Sequence, residues 1–464
     1  MNLNSKLSDS YSCFLESKRH SLGDQGFKAE YIPEMAFDFQ RFIIEKAVKK
    51  GRMAIFADTG LGKTLIQLAI AQNIVKKTSG KVLILTPLAV GFQFLSEAEK
   101  MGVPDVAQTI SGEIKGKIIV CNYERLHYMN PSDFEGCILD ESSILKNFKG
   151  MVKGQVTSFM KKMRYRFLST ATPSPNDFIE LGTSSEALGY MGYMDMLGKF
   201  FKTNQNSVDS NNRNIGEKFY LKPHAENDFF AWVNQWAMMV KMPSDIGFSN
   251  EGYVLPELVN NRHVVENHCM SDVEGQIQLF TPKAKSMTEI RHEQKVTIRE
   301  RCRKAVELAK GKTSVYWCNF NEEGSLIKSQ DPEAVEIQGS MSIEKKEGIL
   351  KGFAEGKIKR IITKAKMTGM GLNWQHCNHS VFFPTYSYEQ YYQSIRRFWR
   401  FGQKRKVTID TVISEGQTRV MDALDQKQKK AVELHEKLTQ NVNRAFHHHQ
   451  KTFNQSIDFP KWTK

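Results

Sequence analysis

The chain has 464 residues, 40% hydrophobic and 25% charged, which excludes a disordered or fibrous protein and leaves room for two or three globular domains. Lys and Arg total 65 against 51 Asp and Glu, a net charge of +14. This surplus suits a polyanionic partner, nucleic acid first, and equally well a generally basic, soluble surface, so charge alone names no partner. No apolar run reaches membrane-spanning length and the polar N-terminus does not resemble a secretory signal, so no membrane partner is expected. The seven cysteines form no Cys-x-x-Cys pair, which argues against a disulfide framework and for a reducing compartment, the cytoplasm or nucleoplasm.

Residues 1–34 are polar, lack periodicity and read as a loosely attached leader. From Ala36 an apolar stripe (Phe39, Phe42, Ile43, Ala47) predicts a helix ending at Lys49-Lys50-Gly51, with Gln40 inside it. The run Met53-Ala54-Ile55-Phe56, the turn Ala57-Asp58-Thr59-Gly60-Leu61-Gly62-Lys63-Thr64 and the helical Leu65–Ala71 give a buried strand, a glycine turn and a helix. That context is the one a phosphate-binding loop requires, and it outweighs a chance Gly-Lys-Thr turn. Glycines at 60 and 62 let backbone N–H groups close on phosphate oxygens, Lys63 reaches the β- and γ-phosphates, and the Thr64 hydroxyl can ligate Mg²⁺. The strict pattern has glycine where Ala57 stands.

Short apolar runs then alternate with helical segments: Val82–Leu85, Ile118–Cys121, Cys137–Leu139 and Tyr165–Leu168. They predict a parallel sheet covered on both faces, with polar residues just past the strand ends. Residues 35–180 form this first lobe. Residues 181–255 read as a helical insertion and linker, with aromatics from Tyr190 to Phe201 taken as packing rather than a binding platform. A helix is expected from Phe229 through Val240. A second α/β series occupies 256–425, with strands near His263–Val265, Val315–Cys318, Ile361–Thr363, Val381–Phe383 and Val407–Ile409 and a helix over 298–308. Residues 426–464 continue an amphipathic helix carrying Val420, Leu424 and Leu438 into a basic tail.

Asp140-Glu141 ends a buried strand downstream of the phosphate loop, where Asp140 would hold Mg²⁺ and Glu141 would orient or deprotonate the attacking water. In Gln393-Ser-Ile-Arg396-Arg397-Phe-Trp-Arg400-Phe-Gly402-Gln403, a helix would put Arg397 and Arg400 on one face. Periodicity serves Arg396 and Arg400 equally well, and a basic surface helix is the bland alternative.

In order and spacing, the phosphate loop, Asp140-Glu141, Ser169-Thr170-Ala171-Thr172-Pro173, Thr368-Gly369-Met370-Gly371-Leu372-Asn373 and the Gln393–Gln403 stretch resemble the motifs of superfamily 2 helicases. The Glu141–Asn147 run, Gly369-x-Gly371-Leu372-Asn373 and the Arg397-x-x-Arg400-x-Gly402-Gln403 ending are similar to the Swi/Snf-type branch of double-stranded DNA translocases, in the minimal form found in phages and bacteria. Ser142-Ser143 stands where that branch commonly has Ala-His. The resemblance implies two RecA-like α/β lobes with parallel sheets and an ATP cleft between them. It implies an ATPase using ATP and Mg²⁺ and moving on nucleic acid, foremost double-stranded DNA, with a strand-separating or annealing helicase on forked DNA or RNA as the alternative. It further implies adenine contact by Gln40, nucleotide contacts from Thr59 to Thr64, Gly371 and Gln403, and arginine fingers at Arg397 and Arg400. Coupling would fall to Ser169, Thr170, Thr172 and Gln393, and nucleic-acid contact to Pro87, Asn122, Tyr123 and Thr368.

Overall fold

The computed structural model describes residues 24–87, 90–146, 150–174, 177–204, 218–266, 272–273, 276–277, 287–365, 373–384 and 387–451. The chain divides into two compact units, residues 1–86, 94–249 and 433–464 in the first and 87–93 and 250–432 in the second. Among the described residues no helix is long and apolar enough to cross a membrane.

In the first unit, helix α1 (Asp38–Lys50) precedes β1 (Arg52–Ala57), and α2 (Lys63–Thr78) follows it. Asp38 in the first turn and Lys49 and Lys50 in the last suit the helix dipole of α1, and Gly51 at φ +73° closes it. Then come β2 (Val82–Thr86), α3 (Gly91–Met101), β3 (Val106–Gln108), β4 (Ile118–Asn122), β5 (Gly136–Asp140), α4 (Met151–Met160) and β6 (Tyr165–Ser169). Helices α5 (Glu180–Leu188), α6 (Tyr193–Phe200) and α7 (Glu226–Trp236) follow, with a β7 (Phe201–Asn204) and β8 (Lys218–Leu221) hairpin between the last two and β9 (Ala237–Val240) at the end. The main sheet runs β3-β4-β2-β5-β6-β1-β9 with every pairing parallel. Its central strands are buried on both faces, as their unbroken apolar sequences require.

The helix expected through Val240 ends earlier. At Ala237 the backbone turns extended, and Ala237–Val240 lies parallel beside Ala54–Ala57. A four-residue apolar run fits a helix end or a buried strand equally well, and pairing with β1 decides it. The segment read as an insertion is thereby built into this unit. Phe229 has the rings of Phe178, Phe200, Phe201, Phe230 and Trp232 within 5.8 Å, and Trp236 meets Phe56 of β1 edge-on.

The second unit begins with β10 (Leu258–Val265), and β11 (Asp272–Val273) pairs antiparallel with β12 (Gln276–Ile277). Helices α8 (Met287–Val296) and α9 (Ile298–Ala309) lead to β13 (Ser314–Trp317), α10 (Asn321–Gln330), β14 (Val335–Glu336), α11 (Ile343–Ala354), β15 (Arg360–Thr363), β16 (His379–Phe382), α12 (Tyr388–Ile395) and β17 (Val407–Ser414). Its sheet is again wholly parallel, ordered β10-β17-β16-β13-β15-β14. These are two RecA-like α/β lobes. The long α13 (Thr418–Lys451) buries Val420, Met421 and Leu424 in its first half and Leu438 in its second, where residues group with the first unit.

Across β10, β17 and β16 of the second lobe, Asp410 is buried as a hydrogen-bond acceptor. His379 Nε2 lies 2.8 Å from Oδ2, and Asn261 Nδ2 (2.8 Å) and His263 Nε2 (3.0 Å) reach Oδ1. Burial raises the carboxyl's pKa, but the His379, His263 and Asn261 hydrogen bonds outweigh it and hold Asp410 far below the usual carboxylate range. A folded pKa depressed below about 3.9, the unfolded value, contributes stability above that pH and loses it as pH falls further. Asp410→Asn is therefore expected to lower second-lobe stability at neutral pH and to flatten its loss on acidification, which thermal melts across pH will read.

Candidate nucleotide site on the first lobe

The phosphate loop is the turn from β1 into α2. Ala57 is fully buried in the sheet opposite Val240, so its methyl points into the core and leaves the loop's geometry intact. Asp58 N–H donates to Val240 O at 2.9 Å, and Asp58 Oδ1 accepts from Thr59 N–H at 2.6 Å. Gly60 and Gly62 hold φ of +96° and +79°, the left-handed region open to glycine. Gly62 is the N-cap of α2 and brings no side chain to cap it, so the helix start is left for an anion. Lys63 Nζ donates to Ala57 O at 3.1 Å and Asp58 O at 3.4 Å, which keeps the ammonium over the loop, and Thr64 follows on the first turn.

Gln40 is buried between α1 and this loop. Its Oε1 accepts from Phe37 N–H at 3.0 Å and its Nε2 donates to Leu61 O at 3.0 Å. A Cβ on residue 62 would lie 2.2 Å from Gln40 Nε2. Gly62→Ala thus meets both a φ that side-chain-bearing residues rarely adopt and a side chain fixed at both ends, and is expected to cost about 1–3 kcal/mol and weaken nucleotide binding. Thermal melting and a fluorescent-nucleotide titration check this.

Asp140 ends β5 beside the loop. Its Oδ1 accepts from Gln67 Nε2 at 2.7 Å, and its backbone carbonyl accepts from Tyr123 Oη at 2.6 Å. Burial first and the Glu141 charge second push the Asp140 carboxyl up to about 7, against the opposing Gln67 hydrogen bond and Lys63 charge. Glu141 adopts φ +50°, rare for a side-chain-bearing residue, and its Oε2 accepts from Thr170 Oγ1 at 3.2 Å. Thr170 Oγ1 also accepts from Thr172 N–H at 3.1 Å. Asp140, Glu141 and Thr170 therefore form one connected group, with Ser169 at the end of β6 paired to Asp140.

Gln67 escaped the sequence reading. The signal was there: a lone amide in the apolar helix Leu65–Ala71, one turn after Lys63 and on its face. Around this group the Gln67 Oε1, Ser142 Oγ, Ser169 Oγ, Thr172 Oγ1 and both amide atoms of Asn122 are buried without a hydrogen-bond partner among the described residues. Buried polar atoms are normally paired, so this concentration fits a hydrated nucleotide–cation site whose ligands Lys63, Thr64 and Asp140 would supply. Asn122 and Tyr123 are themselves buried, at 1% and 5% exposure, and Pro87 directly follows β2.

On the second lobe the arginines do not share a helix face. Helix α12 stops at Ile395, and residues 396–400 form tight turns. The chain is pulled out of the helix because Trp374 N–H donates to Arg397 O, Phe398 packs against Trp317 and Trp374, and Gly402 turns at φ +87°. Arg397 Nε donates to Gln393 O at 3.1 Å, and the Arg396 guanidinium sits over the Tyr392 and Trp399 rings. Burial first and Arg396 second lower the Arg400 pKa to about 10, still cationic at neutral pH.

Gln403, expected to touch nucleotide, instead pins this turn. Its Nε2 lies 2.9, 3.0 and 3.2 Å from the carbonyls of Gln375, Cys377 and Phe398, and its Oε1 accepts from Arg405 N–H at 3.0 Å. The amide is occupied by its own lobe. Thr368 and Gly371 lie outside the described residues.

Comparison with known proteins agrees with this layout. The DEAD/DEAH box helicase family model matches residues 37–180 and the helicase conserved C-terminal domain model matches residues 293–402. No curated protein matches the chain. Among solved structures, a point variant of Dbp5 from S. cerevisiae, bound to RNA and ADP BeF3, is similar over 86% of this chain and 93% of that one, with a TM-score of 0.52 and 12% identity. At that identity the likeness speaks for the fold. The two matches reach the superfamily and not the Swi/Snf branch. With the first on the phosphate-loop lobe and the second on the arginine-bearing lobe, the chain belongs to the superfamily 2 helicases.

Proposed function

We propose that this chain is an ATP-hydrolysing motor that separates or anneals strands of forked DNA or RNA. The observation that carries the reading is the connected group around the phosphate loop, in which Gln67 holds Asp140 and Thr170 holds Glu141. Lys63, Thr64 and Asp140 would hold the nucleotide phosphates and Mg²⁺, which compensates phosphate charge when bound. Glu141 would accept a proton from the attacking water, and Thr170, its hydrogen-bond partner, is placed to register the change. Gln40 and the Thr59–Gly62 backbone would line the nucleotide, with Gly371, Arg397 and Arg400 as further nucleotide positions to test. Ser169, Thr172 and Gln393 would link nucleotide state to movement.

The DEAD/DEAH-type first lobe and the RNA in the similar Dbp5 structure favour strand separation or annealing as the task. The +14 charge suits tracking of phosphates without sequence readout, with Pro87, Asn122, Tyr123 and Thr368 as the positions to test. A second reading, ATP-driven translocation on double-stranded DNA in replication, recombination or repair in a bacterial or phage-infected cytoplasm, is favoured by the Swi/Snf-like Glu141–Asn147 and Arg397–Gln403 stretches.

Steady-state ATP hydrolysis without nucleic acid and with single-stranded DNA, duplex DNA, forked DNA and RNA, with Glu141→Gln as the blank, tests both. Stimulation by single strands, forks or RNA together with release or annealing of a labelled strand supports the first reading. Stimulation by duplex alone, without strand release, supports the second. Equal rates under all conditions sink the motor.

A further inference from the structure

Tyr123 is the first residue past β4, and it reaches over the end of β2, the strand between β4 and β5, to the carbonyl of Asp140. That carbonyl belongs to the peptide linking Asp140 to Glu141. Its orientation sets the Glu141 backbone at φ +50° and thereby aims the carboxylate at Thr170 Oγ1. A residue held in this region persists when its surroundings over-determine it, and the 2.6 Å phenol bond is a contact able to do so.

We propose that Tyr123 is a positioning residue for hydrolysis: its hydroxyl fixes the Asp140–Glu141 peptide and ties Glu141 to the loop that follows β4. The inference rests on the ATPase reading and adds a route by which that loop, which Tyr123 opens next to Asn122 at the end of β4, both proposed nucleic-acid positions, reaches the catalytic carboxylate. Movement of the loop on nucleic acid would be felt as rotation of one peptide. Simple packing is the competing explanation, because the Tyr123 ring lies in the first lobe's core.

Tyr123→Phe keeps the ring and deletes only the donor. The expected result is a fall in kcat of about tenfold, the rate equivalent of one hydrogen bond, with KM for ATP unchanged. Hydrogen exchange in residues 141–146 should quicken while that of β1 and β6 does not. A ring that merely packs predicts wild-type kcat and exchange in the Phe variant, and that outcome overturns the inference. Wild-type protein with no hydrolysis removes the proposed function and the catalytic half of this inference. Exchange still decides whether Tyr123 holds the turn, faster exchange supporting it and unchanged exchange overturning it.

Discussion

Glu141→Gln is expected to slow ATP hydrolysis by about 10²–10⁴-fold while nucleotide affinity is retained. Gln has nearly the shape of Glu, and its carbonyl can still accept from Thr170 Oγ1, the partner 3.2 Å away in the wild type. What disappears is the charge that would take a proton from water in the proposed hydrolysis. The same change removes the second-largest cause holding the Asp140 carboxyl up near 7. Asp140 then ionises more readily, and binding of nucleotide with a divalent cation is held or strengthened. Single-turnover hydrolysis and a fluorescent-nucleotide titration with and without Mg²⁺ separate the two effects. A variant that hydrolyses at the wild-type rate would move the general base to another residue. Loss of hydrolysis and binding together would mean that Glu141 acts mainly by holding the turn at φ +50°.

The reach of sequence reasoning on this chain follows from which interactions are local. The phosphate loop is a strand, two glycines and a helix within a short stretch, so residue types and order specify it almost completely. Strands β2, β4, β5, β6, β13 and β15 carry short apolar runs, and both sheets contain them where those runs fall. Two errors share a cause. Ala237–Val240 leaves its helix to pair with β1, and α12 ends at Ile395 because Trp374 and Phe398 draw the next residues into the core. In each case a tertiary partner distant in sequence overrides local periodicity. Gln403 illustrates the same limit at the level of a side chain. Its type and position resemble a motif, but the carbonyls of Gln375, Cys377 and Phe398 that occupy it are visible only after folding. Gln67 shows the converse, because a polar residue buried on an apolar helix face is a readable request for a partner.

Arg301→Met is expected to destabilise the second lobe by about 3–5 kcal/mol, because removing one member of a buried ion pair strands the other. Arg301 and Glu323 are 0% and 1% exposed and joined by a 2.8 Å bond from Arg301 Nη1 to Glu323 Oε1. Arg301 also donates to Gln294 O at 2.7 Å and Thr297 Oγ1 at 3.2 Å, and its guanidinium lies over the Phe383 ring. Glu323 Oε2 accepts from the Asn319 and Phe320 N–H groups, which starts α10. Met keeps the apolar stem but stops short of the guanidinium, so the loss is the neutralising charge on Glu323 Oε1 together with the donors to Gln294 O and Thr297 Oγ1. For a lobe of this size the melting temperature should fall by roughly 10 °C. Arg301→Met with Glu323→Gln should recover much of the loss, since the amide keeps an oxygen for the helix start and carries no charge to strand. Segment-resolved hydrogen exchange will localise the effect: α9, α10 and β13 should open more often, while the phosphate-loop lobe keeps its protection. If Arg301→Met melts like the wild type, the pair contributes no net stability and the fold of α9 on α10 rests on Cys302, Ala305 and Ile327 packing alone.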